Sequence, residues 1–242
     1  LAPRRLGARS VAICMSKILK EEIGHTIGYR VPFENVVSKS TRCEVVTEGI
    51  LTRMIQTDNT LEDVGLVIFD EFHERSLTAD LALALCLQVQ QVLRDDLRIL
   101  IMSATLDGES LSARLNGAPV ITTAGRQYPV TVRYSPGDKD TPLAHSVARA
   151  IRRAVQEQPG DILTFLPGTG DIQRVNELLE QENLPLAIHT LYGDLPFHKQ
   201  QEAILPNADG RRKIVLATSI AETSLTIEGV TTVIDSGQSP VP

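Results

Sequence analysis

Short apolar runs that end in polar residues recur along this chain and alternate with longer helical patterns. The apolar core of each run is continuous, which is typical of strands covered on both faces of a parallel sheet. Strands that alternate with helices predict an α/β fold with parallel sheets and right-handed crossovers. The predicted strands are 43–47, 65–70, 98–103, 119–122, 161–166, 186–191, 213–218 and 231–235. Apolar side chains at three- and four-residue spacing predict helices at 79–93, 141–156 and 171–182.

The length of 242 residues allows one large domain or two small ones. Glycine and proline interrupt the pattern between residues 123 and 142, so we expect a first domain at 1–124 and a second at 125–242. Hydrophobic residues make up 42% of the chain, which is enough for a sizeable core. No apolar run approaches the roughly 18–20 residues that a membrane span needs, so no membrane association is expected.

The net charge of −6 argues against a globally basic nucleic-acid-binding protein. The basic residues are nevertheless concentrated near the start, where residues 1–42 contain eight Lys or Arg and three Glu. Contact with a polyanion would therefore be local, and a solvated helix face is the alternative interpretation. The three cysteines, Cys14, Cys43 and Cys86, have neither disulfide nor zinc spacing, which fits a reducing cytoplasm.

One apolar run leads directly into a pair of carboxylates, Asp70 and Glu71, at the start of the segment DEFHERS. Ligands of open parallel sheets lie beyond the carboxyl ends of the strands, so chemistry is expected here. Asp70 could hold Mg²⁺, which prefers carboxylate, phosphate and water oxygens. Glu71 could then orient or deprotonate a water molecule that attacks a γ-phosphate. A strand end followed by a solvated helix start, with Asp or Ser as the cap, would explain the same residues without any catalytic role.

Hydroxyl side chains follow three other apolar runs. Ser103 and Thr105 follow the run at 98–103, Thr47 follows the run at 43–47, and a Ser- and Thr-rich segment follows the run at 213–218. Hydroxyl groups and backbone N–H groups at such strand ends suit contacts to phosphate oxygens. Each position alone is a weak signal, because Ser and Thr are common in turns.

The segments APRR, TEGIL, DEFHER, SAT, FLPG, TSIAETSLTI and IDSG occur in this order. Their order resembles that of the DEAH-box helicases of superfamily 2, bacterial members above all, and the resemblance extends over essentially the whole chain. It implies an ATP-dependent RNA helicase core of two RecA-like domains. Each domain would carry half of a site for ATP and Mg²⁺, and single-stranded RNA would lie across both through its backbone.

The resemblance also implies roles for individual residues. In the first domain, the residues expected to contact the nucleic-acid backbone are Pro3, Arg4, Arg5, Thr47, Glu48 and Gly49. Those expected to carry catalysis and its coupling to domain movement are Asp70, Glu71, His73, Ser103 and Thr105, with Asp70 and Glu71 as the metal and ATP residues. In the second domain, Phe165, Gly168 and Thr218 would face RNA. Ser224, Thr226 and Glu228 would lie towards the nucleotide.

Departures from the family pattern are as informative as the matches. The chain contains no Gly-Lys pair, so a phosphate-binding loop of the form GxxxxGK[ST] would precede Leu1. The arginine-rich QRxGRxGR motif would follow Pro242, so we expect both domains to be truncated. Phe72 replaces the alanine of DEAH, and Ser219 and Glu228 stand where many members have Asn and Asp.

Three functional hypotheses remain open. The first is an RNA-dependent ATPase core, and the second is a module that binds nucleic acid but is catalytically inactive in isolation. The third is a metal-dependent phosphohydrolase built on Asp70, Glu71 and His73.

Overall fold

The computed structural model describes residues 1–104, 108–123, 125, 128–135, 140–182, 184–207, 209–221 and 227–239, apart from the side chain of residue 220. The chain divides into two compact units, Leu1–Gln127 and Tyr128–Pro242.

Unit 1 contains five strands, four α-helices and one short 3₁₀ helix in its described part. The helices are α1 (Arg5–Leu19), α2 (Glu48–Thr57), α3 (Leu77–Val92) and α4 (Gly108–Arg114). The strands are β1 (Ile27–Val31), β2 (Glu34–Val36), β3 (Cys43–Val46), β4 (Leu66–Phe69) and β5 (Arg98–Ile101), and the 3₁₀ helix is Phe72–Glu74. The strands pair in the orders β2-β1-β3 and β4-β5.

The first two residues connect these two sheets through main-chain hydrogen bonds. The Leu1 nitrogen donates to the Ile68 carbonyl of β4 at 2.6 Å, and the Leu1 carbonyl accepts from Asp70. Ala2 donates to the Val46 carbonyl of β3 at 2.9 Å. Residues 1–2 therefore lie between β3 and β4, and α1 begins beside the carboxyl ends of both strands.

Two apolar clusters hold unit 1 together. One cluster packs α2 and α3 against β4 and is centred on Phe69, Leu61, Ala82 and Cys86, all nearly inaccessible to solvent. The other packs Ala8 and Ala12 of α1 against β1 and β3. Burial of apolar side chains is the dominant favourable term in folding, so these clusters fix the helices that flank the strand ends.

Unit 2 has a four-stranded parallel sheet flanked by three α-helices in its described part. The strands are β6 (Asp161–Phe165), β7 (Ala187–Leu191), β8 (Lys213–Ala217) and β9 (Val230–Asp235), in the order β7-β8-β6-β9. The helices are α5 (Leu143–Glu157), α6 (Thr169–Glu180) and α7 (Phe197–Ile204), followed by a 3₁₀ helix at Ser219–Ala221. Lys213 is fully buried, and its Nζ donates to the carbonyls of Ala203 and Leu205 at 2.8 and 2.7 Å. This ammonium group thereby satisfies carbonyls at the end of α7.

The α/β class is confirmed, as are seven of the eight predicted strands and all three predicted helices, with their ends shifted by a few residues. The predicted strand at 119–122 is wrong. Val120 and Ile121 are 52% and 88% exposed, and no strand among the described residues pairs with them. An apolar run becomes a strand only where a neighbour supplies main-chain hydrogen bonds.

Two further expectations about the sheets need correction. The sheets are not purely parallel, because β1 and β2 form an antiparallel hairpin that the apolar pattern did not indicate. Burial on both faces holds for β8, which has neighbours on both sides, but β5 and β9 at sheet edges are half-exposed. Within the described residues, no helix combines the length and apolar character that crossing a bilayer requires.

Candidate ATPase site and nucleic-acid interface

The segment that carries the two predicted catalytic carboxylates follows β4 directly. Asp70 is exposed, and its Oδ1 accepts the main-chain N–H of Glu71 at 3.0 Å. Glu71 has a left-handed backbone conformation with φ of 53°, which costs an L-residue roughly 1–2 kcal/mol. Strained backbone of this kind is concentrated at functional sites. The two carboxylates therefore project from a sharp turn at the carboxyl end of the strand.

His73 lies beside the second carboxylate. Its Nε2 is 3.4 Å from Oε2 of Glu71, and both side chains are largely shielded from solvent, at 24% and 32% exposure. The other ring nitrogen, Nδ1, is buried and has no hydrogen-bond partner among the described residues. The imidazole can therefore hold the Glu71 carboxylate in place through one nitrogen.

Phe72 anchors the turn to the neighbouring strand. Its N–H donates to the Met102 carbonyl just after β5 at 3.1 Å, and its ring meets Phe69 edge-on at 6.1 Å. The guanidinium carbon of Arg75 lies 5.7 Å from the centre of the Phe72 ring, a cation–π contact. The phenylalanine at the position of the DEAH alanine is thus buried and packs the segment against the apolar core of unit 1.

The far end of the segment is attached to α2. Ser76 is the N-cap of α3 and accepts the N–H of Ala79 at 2.9 Å. The same Ser76 hydroxyl donates to Oε2 of Glu48 at 2.5 Å. The Glu48 carboxylate is thus bound to the end of the DEFHERS segment (residues 70–76).

The predicted RNA-backbone residues of unit 1 lie at two neighbouring helix N-termini. Arg4 is the N-cap of α1 and Thr47 that of α2, and a parallel β-bridge between Ala2 and Thr47 brings the two ends together. Neither N-cap side chain caps its helix within the described part of the chain, which leaves first-turn N–H groups available. Helix N-termini with such groups attract phosphate.

Exposure differs among these residues. Arg5 and Gly49 are exposed, Pro3 and Arg4 are half-buried, and Thr47 is buried. The Thr47 hydroxyl has no hydrogen-bond partner among the described residues. A Cβ added at Gly49 would meet no atom of the described structure within 4 Å, so the surface beside this glycine is open to a close approach.

In unit 2, the structure brings Phe165, Gly168 and Thr218 to the same edge of the sheet. Phe165 pairs with Ala217 at the carboxyl ends of β6 and β8, Thr218 follows β8, and Gly168 is the N-cap of α6. Glu228 is exposed and lies at the opposite edge, because the next residue, Gly229, accepts a hydrogen bond from Asp161 at the start of β6.

The remaining site residues are of two kinds. Ser103 is exposed just after β5, on the same edge as Asp70. Thr105, Ser224 and Thr226 lie outside the described residues.

The two carboxylates suit Mg²⁺ by their chemistry. Asp70 uses one oxygen for the N–H of Glu71, which leaves further lone pairs for a cation or its water. Mg²⁺ is usually held by one or two carboxylates with water and substrate phosphate, not by a full protein cage. Among the described residues, no three His, Cys, Asp or Glu side chains are grouped closely enough to hold a metal. All three cysteines are free, and burial raises the pKa of the Cys86 thiol to about 11.

The sequence indicates a cap by Asp or Ser at this helix start, and the structure shows that Ser76 is the N-cap of α3. Sequence reasoning missed the hydrogen bond between Ser76 and Glu48. This bond to a carboxylate 28 residues earlier has no local signal, because it depends on the packing of α2 against α3.

Comparison with known families matches both units. Residues 2–113 match the family described as DEAD/DEAH box helicase, and residues 145–240 match the helicase conserved C-terminal domain. The chain belongs to the DEAD/DEAH box helicases. The predicted resemblance to DEAH-box helicases of superfamily 2 is therefore confirmed.

Individual relatives agree with this assignment. The chain is 53% identical over 242 residues to the ATP-dependent RNA helicase HrpB of Escherichia coli K12, a match that covers all of this chain and 30% of that protein. It is 41% identical to HrpA of the same organism over an alignment of 247 residues with gaps, a match that covers 99% of this chain and 19% of HrpA. The crystal structure of the E. coli DEAH/RHA helicase HrpB superposes with a TM-score of 0.91 at 53% identity, covering 99% of this chain and 31% of that one. This chain thus spans less than a third of the length of these relatives. Its two units have the RecA-like fold of DEAH helicases.

Proposed function

We propose that this chain forms the motor core of a cytoplasmic ATP-dependent RNA helicase, which couples ATP hydrolysis to movement along, or unwinding of, nucleic acid. The observation that carries the proposal is the placement of Asp70 and Glu71 on a turn at the carboxyl end of β4, beside two uncapped helix N-termini. Residues 1–124 form the first functional domain in this proposal and residues 125–242 the second.

The chemistry assigned to the first domain follows from its contacts. Magnesium-bound ATP supplies the phosphoanhydride bond, and Asp70 would hold the cation through its second carboxylate oxygen. Glu71 would orient and deprotonate the attacking water. The left-handed backbone of Glu71 and the neighbouring His73 would hold its carboxylate in position. By family resemblance, Ser103 and Thr105 would link hydrolysis to movement, and Ser224, Thr226 and Glu228 would contact the nucleotide.

Single-stranded RNA would bind through its phosphates. In unit 1 the N-termini of α1 and α2 offer N–H groups with the positive ends of two helix dipoles, and Arg4 and Arg5 add charge. Gly49 leaves room for the sugar–phosphate chain, and Pro3, Thr47 and the main chain of Glu48 complete this surface. In unit 2 the corresponding residues are Phe165, Gly168 and Thr218. The chain has no Trp, so backbone tracking fits better than base stacking.

The test is RNA-stimulated ATP hydrolysis by the longest natural form of the protein, with Glu71→Gln as the variant. Loss of one positioned proton acceptor lowers a rate by about 10²–10⁴-fold. Glu74→Gln is the matched control, because Glu74 is another half-buried glutamate of the same segment. The proposal fails if the protein shows no RNA-stimulated hydrolysis, or if both variants hydrolyse ATP equally well.

A second candidate concerns the 242-residue chain by itself, as a module that binds RNA but does not hydrolyse ATP. It is favoured by the sequence, which offers no Gly-Lys pair for a phosphate-binding loop. Titration of labelled single-stranded RNA at low and moderate salt tests it, since phosphate contacts weaken as salt rises. Absence of binding at every salt concentration would reject this candidate, and ATP hydrolysis by the chain would reject its catalytic inactivity.

A further inference from the structure

We propose that the hydrogen bond from Ser76 to Glu48 is the link through which RNA bound at the N-terminus of α2 raises the rate of hydrolysis at Asp70 and Glu71. Ser76 and Glu48 are positioning residues in this inference, which rests on the proposed function and concerns the regulation of its active site. Three features support the inference: the hydrogen bond that holds the Glu48 carboxylate, the contacts that hold the DEFHERS segment, and the position of the proposed RNA surface at the N-terminus of α2.

Glu48 places a negatively charged carboxylate at the N-terminus of α2, where the RNA phosphate is proposed to bind. It begins α2, next to the exposed Gly49, where a free carboxylate would repel the phosphate group. The Ser76 hydroxyl binds this carboxylate at 2.5 Å in a partly buried contact. The bond therefore holds the Glu48 carboxylate beside the DEFHERS segment and leaves the first-turn N–H groups of α2 for the phosphate.

The DEFHERS segment is short and irregular, with internal contacts that span only a few residues, such as the Glu74 N–H donating to the Glu71 carbonyl at 3.0 Å. Glu71 and Arg75 both have left-handed backbones, with φ of 53° and 50°, and only a three-residue 3₁₀ helix separates them. Contacts with neighbouring elements therefore also contribute to where Glu71 lies. One end is held to β5 through Phe72 and Met102, and the other is held to α2 through Ser76.

The Ser76 contact joins the segment directly to the helix that begins at the RNA surface. A phosphate at the first turn of α2 would draw its N–H groups together and order that turn. Glu48 belongs to the same turn, so an ordered turn fixes Glu48, then Ser76, and then the end of the segment that carries Glu71. Coupling between two sites requires such a shared element, whose state both sites affect.

The capping role of Ser76 must be separated from its bond to Glu48. Asparagine and aspartate are both good N-cap residues, so Ser76→Asn and Ser76→Asp each preserve the cap of α3. Asparagine can also donate a hydrogen bond to the Glu48 carboxylate, whereas an ionised aspartate cannot and repels it. The two variants are nearly equal in size and differ in the interaction under test.

The experiment measures ATP hydrolysis with and without single-stranded RNA in the longest natural form of the protein. The readouts are the ratio of the two rates and the RNA concentration that gives half-maximal stimulation. We expect Ser76→Asn to keep the ratio within about twofold of the wild type, and Ser76→Asp to lower it by about fivefold or more, the lower end of typical coupling between sites. Adding Glu48→Gln to Ser76→Asp should restore the ratio, because the glutamine amide can donate a hydrogen bond to the introduced aspartate carboxylate in place of the lost bond.

Each outcome has a distinct meaning. If the wild-type protein is not stimulated by RNA, the proposed function fails and the link is rejected with it. If the wild type is stimulated but Ser76→Asn and Ser76→Asp give the same ratio, the link alone is wrong. A fall of both rates by the same factor in Ser76→Asp, or no recovery with Glu48→Gln, also overturns the link, since either result indicates a purely structural role.

Discussion

Replacing Phe72 with alanine, the residue that the DEAH pattern has at this position, should destabilise unit 1 by about 4–5 kcal/mol. Phe72 is only 4% exposed, and truncation removes roughly 120 Å² of buried apolar surface, or about 3 kcal/mol at ~25 cal/mol per Å². Loss of the edge-on contact with Phe69 adds about 0.5–1.5 kcal/mol, and loss of the Arg75 contact about 0.5 kcal/mol. Phe72 borders an open cleft of about 540 Å³, so water can enter and no dry cavity adds to the cost.

Urea unfolding followed by circular dichroism measures this loss, and hydrogen exchange of peptides from β4 and α3 assigns it to unit 1. Phe72→Leu is the matched control, because it keeps most of the apolar volume and loses only the aromatic contacts, about 1–2 kcal/mol. A cost below about 1.5 kcal/mol for Phe72→Ala would refute the reasoning. Equal costs for the alanine and leucine variants would show that apolar area is not the main contribution.

Three further predictions concern single residues. Gly49→Ala should stabilise α2 by about 0.5–1 kcal/mol in thermal unfolding yet weaken RNA binding in fluorescence anisotropy, and unchanged RNA affinity would contradict a close backbone approach. Glu71→Gly should be more stable than Glu71→Gln by about 0.5–1 kcal/mol in urea unfolding, while both lose ATPase activity. Glycine removes the left-handed strain, and this gain exceeds the backbone entropy that glycine loses on folding. Burial lowers the pKa of Lys213 from its ordinary value of 10.5, so the unfolded chain holds more protons between the two pKa values. The wild-type unfolding free energy should therefore rise with pH through that window, and urea titrations of Lys213→Met should lack this rise.

The parts of the fold that the sequence predicts are those where burial leaves a clear pattern. β6 and β8 have neighbours on both sides, so their side chains are largely apolar and the strands are evident. The β1–β2 hairpin lacks that signal, because β1 includes a glycine and an arginine and β2 has only three residues. Glycine at position 28 allows β1 to approach β2 closely, because a Cβ there would lie 2.5 Å from the Val36 carbonyl oxygen. That constraint comes from the partner strand and cannot be seen in local sequence.

The candidate site divides in the same way. The position of Asp70 and Glu71 follows from a general rule, that polar groups at the carboxyl ends of parallel strands share one edge of the sheet. The bond between Ser76 and Glu48 follows from no such rule, because it requires the packing of α2 on α3 and the conformation of the intervening turn. The bridge that Leu1 and Ala2 form between β3 and β4 was equally hidden, since two residues are too few to show a strand pattern.

The placement of Phe72 explains how a bulkier residue can replace alanine without disturbing the carboxylates. Phe72 directs its ring into the core against Phe69, whereas Asp70 and Glu71 lie above it on the turn. The extra ring area stabilises the turn at the end nearest β5, and the cost of the left-handed backbone at Glu71 is offset there by packing. The Ser76 end is held by polar contacts, namely the hydrogen bonds of Ser76 with Glu48 and Ala79 and the ion pair of Arg75 with Asp80, and an RNA-dependent change in α2 would act at that end first.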